Sequence, residues 1–215
     1  MSNQARQVLS IYRFILRTLR HHAEAYHLYV DSRCWVSIKQ LLQLINARSL
    51  ELQLWRNWTA TDLQRQASMD DRQRIEINDH YVRALYGHSL AHVSAGIPES
   101  PPHTLYHGTS VASLPEIAVQ GLLPGTRCDV HLTSDLDYAR LVSATHSDAC
   151  VLVVRTDGPV RSGTLYRRAN RHVWLTRCIP PESVSVLETV SATPAALRYI
   201  QQFNSIRQLN CVEVH

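Results

Sequence analysis

The sequence has no run of about 18 apolar residues, which excludes a membrane-spanning helix. Its opening stretch, MSNQARQVLS, lacks the apolar segment of a secretory signal, so a cytoplasmic protein is expected. The five cysteines are odd in number, scattered, and without a CxxC pair. That argues against a disulfide framework and a structural zinc site, and they read as small buried apolar residues. The twelve histidines include no HExxH run, and the adjacent His21 and His22 would diverge by about 100° on a helix, so no metal site is expected. Neither GxGxxG nor GxxxxGK[ST] occurs, which removes the Rossmann and P-loop routes to a nucleotide. Lysine is almost missing: of 22 basic residues only Lys39 is not arginine.

What remains is a chain of 215 residues, 45% hydrophobic and 19% charged, enough for one large domain or two small ones. Its net charge of +4 is uneven. Residues 1–98 hold 12 Lys+Arg against 8 Asp+Glu, whereas residues 99–215 hold 10 of each. Arginine grips phosphate through a planar two-pronged fork, so the basic half points to a phosphate-bearing polymer. The boundary falls in SAGIPESPPHT, residues 94–104, with three prolines and a glycine.

In the first half, Val8, Ile11, Ile15 and Leu19 recur at helical spacing, and Arg6, Arg13, Arg17 and Arg20 fall on one face beside them. This face reads as a solvated surface or as a stripe facing phosphate. A short extended piece at LYVD follows, then a Ser37-capped helix in CWVSIKQLLQLI, and a helix after Thr59 or Thr61. RQRIEIND and HYVRALYG predict two strands around a polar turn. Helices leading into a strand pair describe a winged-helix-like module. Trp35 and Trp174 read as core, while Trp55 and Trp58 are placed at the surface, free to stack.

The second half predicts strands at TLYHG, CDVHLTS, ACVLVVRTD, GTLYRR, HVWLTRCI and VSVLETV. Helices are expected at 111–120, at 135–146 and in TPAALRYIQQF. Such a pattern fits a mixed α+β sheet better than a doubly wound one. Glu116, Asp135 and Asp137 are read as charges at helix N-termini. LYHGTS ends a strand in an imidazole, a glycine and two hydroxyls, and a second histidine, His131, sits inside VHLTS. Two histidines, each in an apolar frame and followed by hydroxyl residues, predict a shared pocket.

Taken in order, LRHHAEAYHLYVDSRCWVSIKQLL, DDRQRIEI, VRALYGHS, LYHGTS, IAVQGLLPGTR, VHLTSDLDYA, NRHVWLT and IPPESV resemble the KptA-type RNA 2′-phosphotransferase family, from about Ser10 to Val184. The resemblance implies an α+β protein: a winged-helix-like RNA-binding lobe over residues 1–95 and an ADP-ribosyltransferase-like NAD-binding lobe over 104–215. It implies a monomeric tRNA-splicing type of enzyme that uses NAD as co-substrate and no metal. An internal RNA 2′-phosphate is ADP-ribosylated with loss of nicotinamide. Transesterification then gives 2′-OH RNA and ADP-ribose 1″,2″-cyclic phosphate. By resemblance Arg20, His21, Arg74 and Arg127 are catalytic, the arginines holding the phosphate. His107, Gly108, Thr109, Ser110 and His131 hold NAD, and Val173 takes a position that is apolar in this group. Gly108 is expected to let the cofactor approach the main chain.

Four departures stand out. Asp129 replaces a histidine, Cys34 replaces the glycine of Gly-Trp-Val, Tyr86 replaces a glutamine before Gly-His-Ser, and VSATHSD replaces a glycine-rich turn. Asp129 is expected to add negative charge near cofactor or RNA. Two other readings share these residues: ADP-ribosylation of nucleic-acid terminal phosphates, and a non-catalytic NAD sensor that binds nucleic acid.

Overall fold

The computed structural model describes residues 2–54, 56–146, 148–157, 165–189 and 194–212; side chains of the last segment are described from 197 to 206. Trp55 and the Gly163-Thr164 start of the predicted GTLYRR strand lie outside these residues. No helix among the described residues is long and apolar enough to cross a membrane. The chain divides into two compact units, Met1–Ala95 and Gly96–His215.

The first unit opens with α1 (Asn3–Arg17), capped by Ser2, whose Oγ accepts the Ala5 N–H at 3.2 Å. Ile11, Tyr12, Ile15 and Leu16 are its buried stripe, and Arg6, Arg13 and Arg17 lie exposed. Arg20 does not continue that stripe. Thr18–His22 forms a π turn, whose i→i+5 bonding breaks the 3.6-residue register and leaves Arg20 half-buried. Residues 28–31, the expected extended piece, form no strand; the chain instead pairs at β1 (Val36–Ser37). α2 (Ile38–Ala47) is capped by Ser37. α3 (Ala60–Ser68) begins in a reciprocal box between Thr59 and Asp62. β2 (Ile75–Ile77) and β3 (Tyr81–Ala84) turn through Asn78, whose Oδ1 accepts from His80 and Tyr81 N–H groups. The three strands pair antiparallel in the order β1–β3–β2.

The second unit contains β4 (Ile97–Pro98), β5 (Thr104–Ser110), a 3₁₀ turn into α4 (Leu114–Gln120), and β6 (Val130–Leu132). There follow α5 (Leu136–Ser143), β7 (Ala149–Arg155), β8 (Arg167–Arg168), β9 (Trp174–Thr176), β10 (Val184–Thr189) and α6 (Pro194–Val212). Every pairing is antiparallel, in a three-stranded sheet β10–β7–β5 and a four-stranded sheet β4–β8–β9–β6. Among the described residues the sheets join where Tyr106 and Thr133 exchange both backbone hydrogen bonds. Leu105, Leu152, Val154, Trp174, Leu114 and Phe203 meet in the core. Burying a large apolar side chain contributes about 1.5–3 kcal/mol, so the fully buried Phe203 makes α6 part of the unit's core rather than an appendage. Both units together are mixed α+β.

Candidate functional site

In the first unit the π turn puts Arg20 and His21 in one rigid corner. The Ser89 N–H donates to the Arg20 carbonyl at 3.1 Å, and the Ser89 hydroxyl bonds His21 Nδ1 at 2.9 Å. The Arg20 guanidinium lies over the Tyr86 ring, 5.0 Å from its centre. Gly87 lies between these anchors at φ +90°, where a Cβ would come 3.2 Å from Arg20 Nε. The backbone conformation favours glycine here, and a Cβ would also press on the arginine.

Arg74 is set from the other side. Its Nε and Nη2 donate to Asp70 at 2.8–3.1 Å, its main-chain N–H donates to the same carboxylate at 2.8 Å, and its guanidinium lies 5.2 Å from the centre of the Tyr12 ring. Tyr12 closes the cluster by donating its hydroxyl to Asp70 at 2.8 Å. Burial opposes ionisation of Asp70, but the bonds from Arg74 and Tyr12 outweigh it and hold the carboxyl below its usual range. Burial and the bond to Asp70 push the Tyr12 phenol up, so it stays a donor. Two of Arg74's five N–H directions are thereby fixed, leaving Nη1 and one Nη2 hydrogen for an external anion. The positive charges of Arg74 and Arg20 both oppose the rise at Tyr12, so Arg20, against Tyr86, and Arg74, against Tyr12, both lie within electrostatic reach of the phenol.

His88 lies under this corner, 3% exposed, with no hydrogen-bond partner for either ring nitrogen among the described residues. Burial, then the nearby Arg20, His21 and Arg83, bring its imidazole down to about 4. It is neutral at physiological pH and adds no charge beside Arg20.

In the second unit, the end of β5 meets β6. His107 Nδ1 donates to the His131 carbonyl at 2.8 Å, which leaves Nε2 as the lone-pair nitrogen. Burial lowers the His107 imidazole's pKa; the carbonyl bond opposes this and Arg127 reinforces it. Arg127 is exposed, with Nη1 3.5 Å from His131 Nδ1. His131 pairs directly with Leu175, and Val173, two residues along, shares that face by the strand's alternation. Val173 is buried and tied to Asn170 Oδ1 through its N–H at 2.8 Å.

Gly108 has a different reason from the expected one. A Cβ there would lie 2.7 Å from the Ala139 carbonyl and 2.9 Å from the Ser143 nitrogen. The missing side chain makes room for α5. The Gly108 backbone is another matter: Tyr106 turns its N–H and C=O to the outer edge of β5, toward Thr133. By two-residue alternation Gly108 turns its own groups to that edge beyond the bridge. Thr109 is buried in the strand, and Ser110 Oγ lies 3.0 Å from Ser113 Oγ.

A profile described as the RNA 2′-phosphotransferase, Tpt1 / KptA family, matches residues 6–178. The chain belongs to that family. Proteins named probable RNA 2′-phosphotransferase are similar to it. The one from Bacillus thuringiensis subsp. konkukian (strain 97-27) is 34% identical, over 78% of this chain and 89% of its own. Those of Burkholderia pseudomallei (strain K96243), at 31%, and Escherichia coli O9:H4 (strain HS), at 32%, cover 80% and 79% of this chain and 91% of their own.

Against this family three of the departures acquire physical reasons. Cys34, in the glycine position, is buried at φ +72°, a left-handed conformation that glycine adopts freely and cysteine only at a cost of about 1–2 kcal/mol. Tyr86 supplies the ring under Arg20. Asp129 does not offer free charge to a ligand: it is 7% exposed, hydrogen-bonded to buried Arg167, with Arg177 Nε at 3.6 Å. Two residues escaped the sequence reading altogether, Tyr12 and Asp70. Asp70 has a local signal, four residues before Arg74; Tyr12, 58 positions away, has none.

Proposed function

We propose that the protein removes an internal 2′-phosphate from RNA by transferring it to NAD, giving 2′-OH RNA, nicotinamide and ADP-ribose 1″,2″-cyclic phosphate. The observation that carries this reading is the first unit's cluster, in which Arg20 is held against Tyr86 and Arg74 against Tyr12, with His21 next to Arg20 and bonded to Ser89. A 2′-phosphate beside a 3′,5′-diester is a dense anion, and fixed guanidiniums orient it and stabilise the charge that builds during transfer. His21, oriented by Ser89, serves as donor or proton carrier to the phosphate. The exposed Arg6, Arg13 and Arg17 guide flanking backbone in a salt-dependent way. On this reading the first unit is the winged-helix-like RNA-binding lobe and the second the ADP-ribosyltransferase-like lobe.

The second unit's groups suit a nicotinamide riboside. The Gly108 N–H and C=O on the open edge of β5 match a carboxamide's acceptor and donor, and the neutral His107 offers a lone pair at Nε2. Thr109, Ser110 and His131 complete the polar set and Val173 its apolar wall, with Arg127 as a cation for phosphate. When bound, NAD supplies the riboside carbon that takes the phosphate and the 2″-hydroxyl that carries it away. The set holds no carboxylate, in keeping with a nucleophile that is already an anion.

The test is incubation with a short RNA bearing one internal 2′-phosphate, with and without NAD, the products resolved by mass. Conversion to 2′-OH RNA only with NAD is the expected result. RNA that gains the mass of ADP-ribose and goes no further would move the protein to ADP-ribosylation of nucleic-acid phosphates. No NAD-dependent change would sink the enzymatic reading and leave nucleic-acid binding.

A further inference from the structure

The first unit carries a second feature that the phosphate cluster does not use. An open groove of about 650 Å³ is lined by Tyr29, Trp35, Lys39, Gln40, Gln43 and Tyr81, with Asp31 and Ser37 at its wall. Its aromatic residues are displayed rather than packed away: Tyr29 is 76% exposed and Tyr81 47%. Trp35 is half-buried, and the Arg83 guanidinium covers its ring at 4.5 Å. The sheet register explains the grouping. Val36 pairs with Val82 and Ser37 with Tyr81, so Trp35 and Arg83, Ser37 and Tyr81 share one face while Val36, Val82 and Ala84 are buried behind it. Lys39, Gln40 and Gln43 project from the first turns of α2 and are exposed. Asp31, the one carboxylate, accepts the N–H groups of Arg33 and Trp35 at 2.9 and 2.8 Å and is engaged in holding that turn.

We propose that this groove binds the bases of a single-stranded RNA segment flanking the 2′-phosphorylated nucleotide, an inference that rests on the RNA reading above. Displayed aromatic rings beside a cation suit unpaired bases, because every base has a face to stack and a phosphate to neutralise. The glutamines and Ser37 provide donors and acceptors for base edges. Lys39, the chain's only lysine, has no carboxylate within ion-pair distance among the described residues and meets backbone phosphate as a point charge. The same hairpin ties the groove to the phosphate cluster. Tyr81 begins β3, and Leu85, just past its end, donates its N–H to the Arg74 carbonyl. Four residues of strand span roughly 14 Å, a reach of roughly four stacked nucleotides. A dinucleotide held at Arg74 does not extend to the groove; an octamer phosphorylated at its middle does.

The experiment compares wild type, Tyr29→Ala, Tyr81→Ala and Lys39→Gln in the full chain. All three side chains are exposed, so the fold is retained, which a urea transition confirms. Fluorescence anisotropy measures affinity for a labelled single-stranded RNA octamer without 2′-phosphate. Each tyrosine variant is expected to bind about tenfold more weakly, and Lys39→Gln to lower the slope of log affinity against log salt by roughly 1. Turnover of a 2′-phosphorylated dinucleotide is expected to be unchanged in all three, while the KM for the phosphorylated octamer rises about tenfold in the tyrosine variants. Equal octamer affinity in wild type and variants overturns the groove, as does absence of octamer binding by wild type or equal binding of a duplex of the same length. If the dinucleotide is still turned over in those cases, the phosphotransferase reading survives. Octamer binding that depends on Tyr29 and Tyr81, without turnover of either substrate, keeps the groove and removes the enzyme.

Discussion

The first unit holds three guanidiniums against rings: Arg20 over Tyr86, Arg74 over Tyr12, and Arg83 over Trp35. The second buries Arg167 in an ion pair with Asp129, leaves Arg168 exposed over Trp174, and keeps His107 neutral through burial. A ring orients a guanidinium without cancelling its charge, so the first unit keeps electropositive surface for an anion. A carboxylate cancels the charge it holds, and the second unit, with equal numbers of acidic and basic residues from 99 onward, uses its pairs for architecture. Two of the ring-held cations also meet carboxylates: Arg83 pairs with Glu76, and Arg74 with Asp70, a carboxylate that Tyr12 and the Arg74 main chain share.

The largest effect should come from removing a cation that the first unit presents. Arg74→Ala is expected to lower turnover of 2′-phosphorylated RNA about a thousandfold, at the upper end of what one lost charged donor costs. Arg74→Lys should recover little, since an ammonium cannot repeat the fork on Asp70. Single-turnover kinetics read both, and near-wild-type rates in Arg74→Ala would erase the distinction between the units.

Next comes the second unit's buried pair. Arg167→Met leaves the buried Asp129 with only the exposed Arg177 at 3.6 Å and should destabilise by about 3 kcal/mol, whereas adding Asp129→Leu should restore most of the loss. Urea midpoints measure both. Additive losses would mean that the pair is not the unit's structural device.

The third prediction concerns acid. His88 binds its proton near 4 in the folded protein and near 6.5 when unfolded, so between those values the unfolded chain holds more protons. Its contribution to stability is complete above pH 6.5 and falls as pH drops toward 4, by about 3 kcal/mol in all. Urea unfolding of wild type from pH 7 to 4 should show this slope, and His88→Leu should flatten it. The smallest effect is Gly108→Ala, expected to cost about 2 kcal/mol as α5 shifts away from β5. A wild-type thermal transition in that variant would contradict the packing reason for the glycine.

Much of the local structure was legible from the chain alone. Ser37 and Thr59 cap helices because their hydroxyls reach main-chain N–H groups three residues on, and a cap is a property of neighbouring residues. The β2–β3 turn follows from Asn78 and its neighbours for the same reason. The surface assignments of the tryptophans were less legible. Trp58, expected outside, is 5% exposed and exchanges hydrogen bonds with Asn46. Trp35, expected inside, is half-exposed at the groove. An indole suits either environment, and which one it meets depends on what packs above it. The cysteines divided likewise: Cys34 and Cys150 are buried, Cys178 exposed.

The sequence by itself determined where the capped helices α2 and α3 begin, that the basic excess lies in the first half, and which motifs place the chain in its family. These follow from spacing, capping and composition, which act between near neighbours along the chain. The tertiary structure decided that Tyr12 reaches Asp70 across 58 positions, that Asp129 is neutralised by Arg167, that Gly108 yields its space to α5, and that Trp35 borders a groove. Each of these depends on contacts between residues far apart in sequence, whose approach is set by packing and by no periodicity within either segment.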